Sequence, residues 1–133
     1  MRGFTLIELL LVLAIVAIAS VGVTLSMRDA SQSQLDGQAQ RLAAMLEAAR
    51  AQSRASGLPV YWRALPDGFA INNTPHTWAH AGIHASSEQP VLLGPEPLIA
   101  PQRIRLWHTE QPQRSLILAT DGVRPFFVQG EAP

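Results

Sequence analysis

Three imidazoles fall four residues apart in the stretch HTWAHAGIH: His76, His80 and His84. Imidazole is a common zinc ligand, and on a helix this spacing would stack three rings along one face. Thr74-Pro75 could open such a helix. Against it, Gly82 weakens a helix and no carboxylate falls in the same register. The stretch is therefore expected to be a variable polar loop that holds no metal. His108 is expected to be a surface residue on a strand edge. The chain has no Cys, which excludes disulfides, thiolate catalysis and Cys-ligated zinc. It has no Lys, so no phosphate-binding G-K-[ST] loop exists. Neither G-x-S-x-G nor H-E-x-x-H occurs. Asp67-Gly68 and Asp121-Gly122 have the composition of turns rather than of acid–base pairs. The expectation is no catalytic residue, no cofactor and no enzymatic activity.

One carboxylate stands where chemistry needs an explanation. Glu8 lies at the mouth of Leu9–Met27, a run without any charge. As a helix that run spans roughly 28 Å, against a bilayer hydrocarbon core of ~30 Å. A carboxylate costs about 2.5–3.5 kcal/mol at the centre of a membrane helix and less near its end. No Arg lies one helical turn from Glu8, so no partner is available within the chain. Either Glu8 stays solvated among the lipid headgroups, or a positive group comes from another molecule. A free amine created by a cut just before Phe4 would serve.

The elements behind Glu8 form two parts. After the apolar run, Asp29–Gln34 is small and polar. Then Leu35, Ala39, Leu42, Leu46, Ala49 and Ser53 recur at spacings of four and three, the pattern of an amphipathic helix. Arg41, Glu47, Arg50 and Arg54 fall off that stripe, with Glu47 and Arg50 spaced to pair. Gly57 followed by Pro59 is a stop signal. From there the pattern is of strands: Val60–Ala64, Phe69–Ile71, Val91–Leu93, Arg103–Trp107 and Ser115–Ala119. Asp121-Gly122 is a hairpin signal, with Val123–Gln129 pairing back and Pro125 pointing to an edge strand. Between Asn72 and Pro90 no strand pattern is visible. The expected fold class is α+β: a long N-terminal helix, transmembrane in its first half and amphipathic in its second, packed on a small antiparallel β-sandwich-like domain. The segments are a leader at 1–3, a transmembrane helix at 4–27, an amphipathic helix at 28–57 and a β domain at 58–133.

Gly3-Phe4-Thr5-Leu6-Ile7-Glu8-Leu9-Leu10 resembles the N-terminal signature of type IV pilins and pseudopilins. The resemblance implies a prepilin peptidase that cuts between Gly3 and Phe4 on the cytoplasmic side and methylates the Phe4 amine. It implies that Glu8 pairs with the amine of a neighbouring subunit during assembly. The leader Met1–Gly3 is short for that family and holds a single Arg. The rest of the chain resembles the minor pseudopilin H (GspH) family of the type II secretion system, in the Arg41–Arg54 helix ending Ser56-Gly57-Leu58-Pro59-Val60. Asp67-Gly68-Phe69, Leu93-Gly94-Pro95-Glu96-Pro97 and Thr120–Phe126 add to it. What this implies is a structural subunit of the inner membrane with its C-terminal domain in the periplasm. It would assemble with other minor and major pseudopilins into a pseudopilus, working with an inner-membrane secretion platform.

Three alternatives stay open. One is a minor pilin of a type IV pilus or a DNA-uptake system. Nucleic acid is not expected as a partner, because the chain is neutral, with ten Arg against ten acidic residues. Another is a periplasmic enzyme or metal-binding protein held by a signal anchor, with the histidine stretch as its site. The third is a cleaved signal peptide with Ala17-Ile18-Ala19 as its cutting site, which the continuing apolar run and Glu8 oppose.

Overall fold

A 51-residue helix, α1 (Leu6–Ser56), dominates the structure. The structure is a computed structural model that describes residues 3–132. Met1 and Arg2, two of the three expected leader residues, lie outside the described residues. At 1.5 Å per residue α1 is about 76 Å long. Its two halves differ. Every residue from Gly3 to Ala30 is exposed. From Ser31 onward one face is buried, through Leu35, Ala39, Leu42, Leu46, Ala49 and Ser53. These are the stripe residues expected from the spacing. Gly57 ends the helix in the left-handed region (φ 71°), its N–H donating to the Ser53 carbonyl at 2.9 Å.

Eight strands follow in two antiparallel sheets. One has the order β3 (Thr74–Thr77), β2 (Gly68–Ile71), β1 (Val60–Leu65), β5 (Val91–Gly94). The other has the order β4 (Ile83–Ser86), β6 (Gln102–His108), β7 (Gln111–Thr120), β8 (Phe127–Ala132). Alternation decides which residues face in: Ile104 and Leu106 of β6 are buried while Arg103 and Arg105 are exposed. The core joins Leu35, Leu42 and Leu46 of α1 to Trp62, Phe69, Val91, Ile104, Leu106 and Leu118. Gly94 lets α1 approach β5. A Cβ there would sit 2.7 Å from Ser53 Oγ. The α+β class and the helix-on-sheets arrangement are as the sequence pattern indicated.

Four local expectations fail. The stretch 72–90 is not a featureless loop: it supplies β3 and β4, each four residues long. Both are edge strands, so neither needs a clean apolar alternation. Pro75 is tolerated in β3 because an edge strand has donors to spare. Asp121-Gly122 does not make a two-residue hairpin. β7 and β8 are joined by a wider loop, and β8 starts at Phe127, two residues beyond Pro125. β8 is indeed an edge strand.

Arg50 is not on a solvent face. It is 3% exposed. Its guanidinium meets Glu47 Oε1 at 3.1 Å and donates to the carbonyls of Arg124 (3.2 Å) and Gly122 (3.4 Å). Glu47 Oε1 in turn accepts the Phe126 N–H at 2.9 Å. The pair clamps the β7–β8 loop onto α1. Arg50→Ala removes the charged partner of Glu47 and one of two donors to each carbonyl, since Thr120 Oγ1 also donates to the Arg124 carbonyl and the Ile99 N–H to the Gly122 carbonyl, and it should cost about 1.5–3 kcal/mol. Thermal unfolding of the full chain in detergent checks this. A loss below roughly 0.5 kcal/mol, the level of an ordinary surface change, would show that the clamp is redundant. His108, finally, is buried and not a surface residue. Its Nδ1 accepts the Glu110 N–H at 3.2 Å.

The same loop also perturbs a carboxylate, Asp121. Asp121 accepts the backbone N–H of Arg124 (2.9 Å), the Arg124 Nε–H (2.9 Å) and the Val123 N–H (3.0 Å). These bonds, the Arg124 backbone one foremost, lower its pKa from 3.8 to about 2. The folded state therefore favours the ionised form. That contribution is fully present above about pH 4 and is lost as pH falls toward 2. The melting temperature advantage of wild type over Asp121→Asn should be constant above about pH 4 and shrink below it. An advantage independent of pH would show that the hydrogen bonds matter and the charge does not.

Candidate processing and assembly site

Gly3, Phe4 and Glu8 lie together at the free end of α1, far in sequence from any residue of the β domain. Gly3 and Phe4 precede the helix in irregular backbone, and Phe4 is 89% exposed. A Cβ added at Gly3 would meet nothing within 4 Å. The chain's own packing gives no reason for a glycine there. The Gly3–Phe4 peptide is thus outside regular structure, where a peptidase can reach it.

Thr5 is the N-cap. Its backbone is extended (φ −79°, ψ 155°) and its Oγ1 accepts the Glu8 N–H at 3.2 Å. Thr5-x-x-Glu8 is the sequence form of a capping box, in which the N3 carboxylate can reach back to the N-cap. This role of Thr5 is an addition to the sequence reading, and the T-x-x-E spacing was its signal. Glu8 is exposed, sits in the first turn beside the positive end of the helix dipole, and makes no ion pair among the described residues.

Two hydroxyls in the apolar half of α1 bond back to the helix. Ser20 Oγ donates to the Val16 carbonyl (2.8 Å) and Thr24 Oγ1 to the Ser20 carbonyl (3.0 Å). Both of these hydroxyls are satisfied within the helix, as a lipid surrounding favours. The segment is long and apolar enough to cross a membrane.

The histidines do not converge. His76 is on β3 and stacks on Phe69, with ring centroids 5.2 Å apart. His84 is on β4 in the other sheet, where it meets Thr109 Oγ1 at 3.0 Å and stacks on Trp107. His80 is exposed between them. Among the described residues no three metal-donor side chains come together.

Comparison with known proteins bears on the helix end. The N-terminus carries a prokaryotic N-terminal methylation motif. The family model of that description matches residues 1–24. No curated protein and no solved structure matches the chain. The motif supports a place in the pilin-like superfamily, either pilin or pseudopilin, with processing by prepilin peptidase and assembly with other pilins. It points to a structural protein and not to an enzyme. With the exposed apolar half of α1, it suggests a membrane-anchored, single-pass protein.

Proposed function

We propose that the chain is a filament subunit of the pseudopilin type, a minor pseudopilin of a type II secretion system. The observation that carries the pilin-type reading is the methylation motif at the tip of a helix whose first half is wholly exposed and whose second half is buried in a β domain. An exposed apolar rod about 40 Å long, from Leu6 to roughly Ala30, is unsustainable in water. Lipid covers it before assembly, and neighbouring helices cover it afterwards. In this reading the peptidase cuts between Gly3 and Phe4, Phe4 is methylated, and Glu8 sets the axial register. The N-terminus faces the cytoplasm and the β domain the periplasm. The partners are other minor and major pseudopilins and the inner-membrane secretion platform, and the filament moves folded proteins out through the outer membrane. The resemblance of the Arg41–Val60 and Thr120–Phe126 stretches to minor pseudopilin H supports the finer assignment.

The test is loss of the chain in its own host. Secretion of exoproteins should fall sharply, while twitching motility and DNA uptake continue. Normal secretion with lost motility or uptake would make it a minor pilin of a type IV pilus instead.

A further inference from the structure

Charge in this chain is balanced overall but segregated in the fold. Nine Arg and nine acidic residues follow Met27. Strands β4, β6 and β7 hold three of those Arg and no acid, and β8 of the same sheet holds one acid, Glu131. The register puts His84, Ser86, Arg103, Arg105, Trp107 and Phe127 on one face, opposite the core-facing Ile104 and Leu106. Arg103 and Arg105 are exposed. Arg105 is held in place: its guanidinium lies 5.0 Å from the Trp107 ring centroid and donates to the Pro112 carbonyl at 3.2 Å. A guanidinium already immobilised loses little entropy when its remaining N–H groups meet a carboxylate.

The complement is on α1. Asp29 and Asp36 are exposed and seven residues apart, so they share one flank of the helix about 10.5 Å apart, away from the Leu35/Leu42 stripe. Arg103 and Arg105 are two residues apart on one strand face, about 7 Å. The long Arg stems cover the difference.

We propose that the outer face of the β4-β6-β7-β8 sheet docks the Asp29/Asp36 flank of α1 in a second copy of this chain. The proposal rests on the filament-subunit reading. A contact between unlike faces does not close into a symmetric dimer and so suits a helical filament. A subunit that is minor in number satisfies it with two adjacent copies. Single-stranded nucleic acid is the weaker occupant, because Trp107 offers no open ring for a base: His84 stacks on it at 5.7 Å and Arg105 lies over it.

The absence of cysteine gives a clean test in the full chain. Ser33→Cys on α1 and Ser86→Cys on β4 leave every charge in place. Co-expressed in membranes and oxidised, they should give a disulfide-linked dimer, at least about fivefold more than Ser33→Cys with Thr74→Cys on the other sheet. Arg103→Glu with Arg105→Glu should abolish that excess, and adding Asp29→Arg with Asp36→Arg should restore it, which also shows that the variants fold. In a membrane-integrated chain cut at Gly3, a yield no better than the Thr74 control, or one indifferent to charge reversal, overturns the contact alone. Capture of a single-stranded oligonucleotide that depends on Arg103 and Arg105, without the cross-link, also overturns it. A chain missing from the membrane fraction overturns the filament reading, and the contact with it.

Discussion

Gly3→Val should leave the chain uncut. Wild-type protein extracted from membranes should have an intact mass that lacks Met1–Gly3 and carries one added methyl group. The variant should keep all three residues and no methyl. The expected effect is near-complete because nothing in the chain itself competes with it. Gly3 precedes the N-cap, and a side chain there would meet nothing within 4 Å, so valine costs the fold nothing. Any effect is therefore imposed by the enzyme that reads the site, which must bring its catalytic groups close to the Gly3 carbonyl. Gly3→Ala, adding one methyl, should be cut slowly. A cut there would leave Thr5 as the second residue of the mature chain, so the helix start would survive with its cap intact. A wild-type chain beginning at Ser20 would instead establish an ordinary secretory signal, and normal processing of Gly3→Val would remove the peptidase from the account.

What could be read in the sequence was whatever repeats or whatever a single residue type enforces. The Leu35-to-Ser53 stripe has a helical period over five turns, and burial follows it. Gly57 ends the helix because few other residues adopt its φ of 71°. Ile104 and Leu106 alternate with Arg103 and Arg105, and the sheet buries the expected pair. What stayed hidden depended on contacts distant in sequence. Arg50 looks like a solvent residue until the β7–β8 loop arrives, 72 to 74 residues later, with carbonyls for it to bind. β3 and β4 are four-residue edge strands, too short for a period to show. His108 is buried through the packing of the Gly82 loop: a Cβ at Gly82 would lie 3.0 Å from its ring. The tip of α1 is legible for the opposite reason. In the proposed reading Gly3, Phe4 and Glu8 act through partners and Thr5 through its local cap, so their spacing in sequence is their geometry.

Glu8→Ala and Glu8→Gln should both fall out of the filament, by at least about tenfold in co-purification with other pilin-type subunits, while the β domain melts as before. A tenfold loss is ~1.4 kcal/mol, less than a charge-assisted hydrogen bond to a buried group is typically worth. Two local explanations for the carboxylate compete with a partner in another subunit. Thr5 Oγ1 already holds the Glu8 N–H at 3.2 Å, so Glu8 can complete a capping box. It also sits at the positive end of α1, worth about 0.3–1 kcal/mol. The two variants separate these from assembly. Glutamine keeps the capping geometry and loses the charge, and alanine loses both. If Glu8 served only as a cap, Gln should behave as wild type and Ala alone should fray the first turn; loss of the dipole contact would cost both variants only about 0.3–1 kcal/mol, short of a tenfold fall. If it binds the methylated Phe4 amine of a neighbour, both should fail, because an amide offers that cation only a dipole. Processing and membrane insertion should be unimpaired or slightly improved in both, since a charge costly in lipid is gone. Full incorporation of both variants would mean that the carboxylate is merely solvated among the headgroups. Incorporation of Gln alone would make it a capping residue, and the exposed apolar rod would then have to find its register from side-chain packing.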